Sequence, residues 1–349
     1  MGRKFENRDE SDKSNSEPFF RYDTLNIISS WHCDAHCRHC YIPAEKRRLD
    51  DFDEDVWSAL VAGLPDDIKL VCFTGGEPFL HPERLLTLLE TTQAAGHSST
   101  VVTNGLWAQE WSQAKELLEK AVELGLVGVS VSVDDYHRPE LPAEVLVRLF
   151  QHACRLRLHV NVKGVGLEAQ KKIETIQKEF EGKIPDFSKS EINLERVGTA
   201  AGLSQDKTRS NFYENCWWAL SPLVTPDGNV FACCAPRLLN IDNPILCRAN
   251  VKDEPIKDIL YRASRDFLLA AIIVMGPGGL YELLEGDKLA ETTLSKCEVC
   301  LSILNDPRAV NKLRERFSKD KELRKEVLGK HMIYEACYRP EIDNELVIP

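Results

Sequence analysis

Cys33, Cys37 and Cys40 lie in the run Cys33-Asp-Ala-His-Cys37-Arg-His-Cys40, a C-x3-C-x2-C spacing on a loop just after a short apolar stretch. Three thiolates can hold three corners of a cuboidal iron–sulfur cluster. Such a cube has four irons, so one is left without a protein ligand. A metal with an open position can do chemistry, whereas a closed site serves structure or electron transfer. His32, His36 and His39 are interleaved with the cysteines, which keeps a zinc site open as an alternative. Structural zinc, however, usually pairs C-x2-C with a second C-x2-C or H-x3-H, and the triad has no nearby fourth cysteine.

A second cysteine set follows. Cys216 and Cys233 are separated as C-x11-G-x4-C around Gly228, and Cys297 and Cys300 form a later C-x2-C. The segment Thr225-Pro226-Asp227-Gly228-Asn229 sits between two apolar runs and predicts a hairpin turn that brings Cys216 and Cys233 together. Four thiolates complete either a zinc site or a closed 4Fe–4S cluster. Cys72 and Cys154 lie on apolar patterns and read as core residues. Cys234, Cys247 and Cys337 are left over. Cys234 adjoins Cys233, and on a strand the second of two neighbours points to the opposite face.

The elements that must position these residues alternate strand and helix. Strands are expected at 25–28, 70–73, 100–103, 127–133, 159–165 and 192–197, and helices at 53–64, 82–95, 107–124, 142–156 and 168–180. Gly96 and Gly125 end two of the helices. Six βα-type repeats imply parallel strands, in a doubly wound sheet or a partial barrel, and both put ligands at the carboxyl ends of strands. The cysteine triad follows the first strand, Thr74-Gly75-Gly76-Glu77-Pro78 the second and Thr103-Asn104-Gly105 the third, while Ser132 and Asp134 end the fourth. All four unusual sequences map to one rim. Asp134-Asp135-Tyr136-His137-Arg138 reads either as acid–base groups near the rim or as a solvated loop, Tyr41 is expected to pack on the cysteine loop, and Trp217 and Trp218 are expected in the core.

Composition narrows the function. The 349 residues are 43% hydrophobic and 28% charged, with a net charge of −11, as in an ordinary soluble protein that is a poor polyanion binder. Nucleic acid is therefore not an expected partner. The apolar run Leu268 to Met275 is too short to span a bilayer, so no membrane partner is expected either. Residues 1–18 are polar, without the apolar core of a signal peptide. Twelve cysteines without that signal suit metal binding in a reducing, cytoplasmic compartment better than disulfides.

The cysteine triad followed by Gly75-Gly76-Glu77-Pro78 resembles the radical S-adenosylmethionine (SAM) enzymes over about residues 25–198. The resemblance implies an α/β fold: a partial (β/α)6 barrel of parallel strands with a small C-terminal cysteine-rich α+β domain. It implies a catalytic 4Fe–4S cluster on Cys33, Cys37 and Cys40 whose free iron takes SAM. Reduction of that cluster cleaves SAM to methionine and a 5′-deoxyadenosyl radical, which abstracts hydrogen from a substrate.

Further roles follow from the resemblance alone. Gly75, Gly76, Glu77 and Pro78 match the motif that meets the SAM amino group. His39 stands at the aromatic position near the adenine, Ser132 at a polar strand-four position, and Asn104 at a polar rim position. Arg196 to Ala200 resembles a loosely kept segment after strand six, with Thr199 where Arg is usual.

The second cysteine set resembles the shortened "twitch" form of the SPASM domain, which implies one auxiliary 4Fe–4S cluster on Cys216, Cys233, Cys297 and Cys300. Some radical epimerases of the family return a hydrogen atom from a cysteine thiol, which makes Cys234 a candidate donor. The expected organisation is a polar tail at 1–20, a radical SAM core at 21–205 and an auxiliary domain at 206–349.

The implied partners are a flavodoxin- or ferredoxin-type electron donor and a peptide or small natural-product substrate, with oxidation, crosslinking or epimerisation as outcome. About twenty residues precede the first strand, a length expected to leave no room for a fused peptide-recognition domain, which disfavours a peptide substrate or demands a separate partner. The rival functions are a zinc-stabilised binding protein and an electron-transfer iron–sulfur protein without SAM chemistry.

Overall fold

A computed structural model of the chain describes residues 17–42, 53–134, 136–137, 142–165, 174, 175, 178, 188–192, 197, 200, 212–240, 243–287, 289 and 294–337. Six parallel strands run in sequence order: β1 (Thr24–Ser30), β2 (Leu70–Gly75), β3 (Ser98–Thr103), β4 (Leu126–Ser132), β5 (His159–Val165) and β6 (Ser188–Ile192). Each pairs only with its sequence neighbours within this set. A doubly wound sheet reverses its order at a switch point. This sheet does not, so it is the singly wound, open-barrel alternative.

The helices between strands are α1 (Glu54–Ala62), α2 (Pro82–Ala94), α3 (Trp111–Glu123) and α4 (Ala143–Arg155). Asp53 caps α1 by accepting from the Asp55 N–H. Gly96 and Gly125, at φ of +90° and +91°, turn the chain out of α2 and α3. The strands alternate by residue. Val71, Phe73, Val101, Val129, Val131, Val160 and Val162 are buried in the core with Leu85, Leu118 and Leu149 of the helices. The other face carries Asn26, Cys72, Thr100, Ser130, Asn161 and Lys163. A polar face on a sheet whose other face is fully packed marks the cavity side.

Two expectations need correction. The sixth strand is Ser188–Ile192 rather than 192–197. Its sequence, SKSEI, is polar because it is an edge strand, and a search for apolar runs passes over it. The third helix does not begin at Trp107. Residues Leu106–Gln109 form a separate 3₁₀ turn, held where the Trp107 indole N–H donates to Thr103 Oγ1 at 2.8 Å and its ring stacks on Phe79. The helix expected at 168–180 lies almost wholly outside the described residues, as do Arg196, Gly198 and Thr199.

The C-terminal part continues the same sheet. Strand β7 (Leu223–Val224) pairs parallel with β1 on the side away from β2. Strands β8 (Asn229–Phe231) and β9 (Cys247–Asn250) follow antiparallel, giving the order β6-β5-β4-β3-β2-β1-β7-β8-β9. The expected hairpin is present, with Gly228 at φ +87°. Among the described residues five helices follow: α5 (Ile256–Ser264), α6 (Phe267–Glu285), α7 (Lys296–Leu304), α8 (Pro307–Lys319) and α9 (Lys321–Cys337). Helix α6 is long and apolar enough to cross a membrane, but most of it is buried inside the protein. It is also broken: Gly276 has φ 64° and ψ 172°, and Pro277 follows.

Candidate active site

The triad loop is fastened to the end of β2 by backbone bonds. Gly76 N–H donates to Ser30 O and Glu77 N–H to His32 O, both at 2.8 Å. The approach is so close that a Cβ on Gly76 would stand 1.9 Å from His32 O, and one on Gly75, at φ +122°, 2.7 Å from Ser30 O. The glycine pair thus serves the contact between β2 and the cysteine loop itself. The resemblance implies a SAM contact for this pair, and the packing onto the cysteine loop is a second demand on the same glycines.

Glu77 is fully buried. Its Oε1 accepts from Phe79 N–H at 3.0 Å and from Thr103 Oγ1 at 2.8 Å, and its Oε2 from Asn104 N–H at 2.7 Å. One carboxylate therefore ties the loops after β2 and β3 together. Burial outweighs those bonds and pushes its pKa up to about 7. Asn104 continues the chain of contacts, with Nδ2 donating to Asp34 Oδ1 at 2.9 Å and to Cys33 Sγ at 3.8 Å. Pro78, buried, opens the 3₁₀ turn Pro78–Leu80.

The triad's surroundings suit a cationic cluster. Cys40 N–H donates to Cys37 O at 3.3 Å, which turns the loop back on itself. Burial pushes the Cys33 thiol up to about 12, and the Glu77 and Asp34 carboxylates and Cys40 push the same way, against one bond from the Ala35 N–H. Three thiolates here need a positive partner, and iron is one. The donor set and the shielding fit the cluster. Tyr41 packs beside it, its hydroxyl pKa raised by burial and by Cys40.

The loop after β4 closes over this rim. Asp134 is buried, and its Oδ1 accepts from the Tyr136 and His137 N–H groups at 2.9 Å. His137 Nδ1 lies 2.9 Å from both Asp134 oxygens, and Val165 N–H reaches Oδ2 at 3.2 Å. His39 is buried against Tyr136 and His137, each ring centroid 4.5 Å away, and burial drives its pKa down to about 4. Ser132, at the end of β4, lies opposite Lys163 of β5. Sequence spacing placed Asp134 and His137 on the rim but gave no sign that they close on Cys37 and His39.

The second cysteine set begins beside the break in α6. Pro277 has no N–H, so the Ile273 carbonyl four residues earlier lacks its helical donor. Cys216 N–H donates to that carbonyl at 2.8 Å. Gly278 N–H donates to Phe212 O at 2.8 Å, and a Cβ on Gly276 would meet Glu214 O at 2.4 Å. The broken helix thus holds the chain on which Cys216 sits. Helix α7 starts with a capping box between Ser295 and Glu298, and its Lys296 Nζ donates to Asn215 O at 3.0 Å. Cys297 and Cys300 lie three apart on α7, on one face.

Cys216, Cys233 and Cys300 lie within electrostatic range of one another, all three raised above the ordinary thiol range by burial. Cys234 has a second environment. Burial pushes its thiol up to about 12, while Lys163 opposes this and Cys216 and Cys72 add to it. Cys72 and Lys163 belong to the polar face of the sheet, so Cys234 looks toward that face as well. Cys72 is fully buried as expected, and Cys154 is partly buried. Cys247 falls on β9, and the side chain of Cys337 lies outside the described residues. Trp217 is not in the core: it is 45% exposed and rests on Tyr334, whereas Trp218 is partly buried.

Residues 27–178 match the model of the radical SAM superfamily. YydG of Bacillus subtilis, a protein named for peptide biosynthesis, is 21% identical over 304 residues, covering 82% of this chain and 94% of its own. GTP 3',8-cyclase of Chlorobaculum tepidum is 31% identical over 121 residues, 33% of this chain and 34% of the cyclase. Among solved structures, Streptococcus suis SuiB bound to the precursor peptide SuiA shares the fold with a TM-score of 0.53 at 15% identity, over 80% of this chain and 76% of SuiB.

Proposed function

We propose, from the premise that this chain is a radical SAM enzyme, that it inverts a carbon centre in a peptide by removing one hydrogen atom and returning another from Cys234. The family's 4Fe–4S cluster, when bound by Cys33, Cys37 and Cys40, supplies the electron that splits SAM into methionine and the hydrogen-abstracting radical. The chain's own residues do the rest. Glu77, Asn104 and the Gly75-Gly76 contact fix the loop that holds the triad, and the backbone around Gly75 to Pro78 offers acceptors to the SAM ammonium. His39 and Ser132 line the rim and would meet SAM there. The packed rim excludes water from a radical that water would waste.

The observation that carries the reading is that two adjacent cysteines have different surroundings. Cys233 groups with Cys216 and Cys300, whereas Cys234 also reaches Cys72 and Lys163 on the polar face. On that face a thiol can give its hydrogen atom to a substrate carbon radical: the S–H bond breaks, a C–H bond forms, and a thiyl is left on Cys234. One electron from a flavodoxin- or ferredoxin-type donor and one proton from water restore the thiol. Cys216, Cys233, Cys297 and Cys300 would hold an auxiliary 4Fe–4S cluster. A peptide substrate is supported by YydG, named for peptide biosynthesis, which matches most of this chain.

The test is anaerobic turnover of the reconstituted, reduced protein with SAM and candidate peptides in deuterated water. The expected product is an epimer carrying one solvent deuteron, because a cysteine thiol exchanges with water. Cys234→Ala should still release 5′-deoxyadenosine but give no deuterated epimer. A wild-type product lighter by two hydrogens would replace epimerisation with oxidation or crosslinking.

A further inference from the structure

The rim holds a second group of metal-binding atoms that cuts across the triad. Cys37, His39 and His137 each offer one ligand atom, and the three atoms lie within 4.8 Å of one another. We propose that the cluster-free chain binds one zinc ion through Cys37, His39 and His137, in a site that competes with cluster assembly for the Cys37 thiolate.

Donor chemistry and geometry both favour it. One thiolate and two imidazoles are the ligand types of zinc, leaving a fourth position for water. Tetrahedral bonds to sulfur at about 2.3 Å and nitrogen at about 2.0 Å put ligand atoms about 3.5 Å apart, so a shift of about 1 Å closes the site. Such a shift is within reach of side-chain rotation. His39 Nδ1 is buried with no hydrogen-bond partner, an unsatisfied atom of the kind a metal bond removes.

His137 is already oriented. Its Nδ1 lies 2.9 Å from both Asp134 oxygens, leaving Nε2 as the metal-binding atom. A carboxylate behind a ligating histidine fixes the ring and strengthens it as a ligand. The Asp134 carboxylate and the Cys37 thiolate together balance the two charges of the ion. Only the competition with the cluster rests on the radical SAM reading; the zinc site itself does not.

The experiment uses the full chain, freed of metal and kept anaerobic, with Cys216→Ser, Cys233→Ser, Cys297→Ser and Cys300→Ser removing the other cysteine set. Cobalt(II) serves as the spectroscopic probe and zinc as its competitor. One equivalent of cobalt should bind with tetrahedral visible bands and the charge-transfer intensity of a single thiolate, and zinc should displace it. His137→Phe should weaken binding at least 10-fold, and Asp134→Asn, which keeps both imidazoles, by about 10-fold.

Iron–sulfide reconstitution of the same variants controls for folding. His137→Phe should still take up a cluster, and preloaded zinc should slow uptake in the parent but not in this variant. Unchanged cobalt affinity in His137→Phe, or intensity from three thiolates, overturns the proposal, the latter by placing the ion on Cys33, Cys37 and Cys40. A parent and variant that both fail to form any cluster would instead refute the radical SAM reading while the cobalt result stood.

Discussion

The two cysteine sets are built in opposite ways. Cys33, Cys37 and Cys40 span eight residues on one loop, and backbone bonds from the adjacent Gly76 and Glu77 hold the start of that loop in place. Cys216, Cys233 and Cys300 come from segments up to 84 positions apart, brought near one another with the help of a broken helix and a hairpin, and Cys297 lies one turn before Cys300 on α7. A local set is specified by spacing and survives disturbance elsewhere. A set collected from distant segments depends on each support, because closing long loops is entropically unfavourable until every contact is made. Damage to the first should therefore be all-or-none, and damage to the second graded and separable from it.

The largest effect should come from Cys37→Ala, with loss of the triad's iron and of 5′-deoxyadenosine release down to background. Iron analysis and chromatography of the nucleoside check this, and SAM cleavage surviving the substitution would end the assignment of the triad. Next is Gly276→Ala, which puts a methyl against the Glu214 carbonyl at a positive φ. It should halve the iron from about eight to about four atoms per chain while SAM cleavage without substrate persists. Pro277→Ala should do the same more weakly, by restoring a helical donor that competes with Cys216 for the Ile273 carbonyl. Equal loss of iron from both sets would erase the contrast.

Glu77→Gln tests the support of the local set. The amide keeps one acceptor oxygen but turns an N–H toward the Asn104 N–H, at a cost of about 1–3 kcal/mol in unfolding free energy. The pH profile should change too. The Glu77 pKa is raised to about 7 in the fold from an ordinary 4.5. Its contribution to stability is therefore full below pH 4.5 and is lost as pH rises to about 7, a swing of about 3 kcal/mol that Gln should flatten. Denaturant melts across that range measure it. The smallest effect should be Lys252→Ala, which breaks an exposed ion pair with Asp53 joining the two regions at the surface. No change in melting temperature is expected, because exposed pairs are screened by solvent.

Much of this contrast was legible in the sequence. The alternation of Val with Gly and Ser along β4 marks a strand with one packed and one polar face, and the glycines after α2 and α3 mark their ends. The rim motifs fell where short βα spacing put them. What could not be read depends on tertiary partners. Edge strand β6 has no apolar signature, and Trp217 rests on Tyr334 from a helix more than a hundred residues later. Gly276-Pro277-Gly278-Gly279 is a visible break signal, yet it follows an apolar run that reads as a simple buried helix. Only the fold shows that the break receives the chain before Cys216. The closing of Asp134 and His137 onto His39 likewise joins two loops about a hundred residues apart.

Strand β1 links both halves in a way that bears on any attempt to separate them. Its outer side is covered only by β7, through Asn26 opposite Leu223 and Ile27 opposite Val224, with Asn26 N–H donating to Pro222 O at 2.9 Å. A fragment ending near residue 205 would strip that cover and leave a naked ladder of donors and acceptors beside the Cys33–Cys40 loop. Such a rim recruits strands from other molecules. The truncated barrel should thus zip onto copies of itself, and an insoluble product would say nothing about whether the missing half takes part in the chemistry.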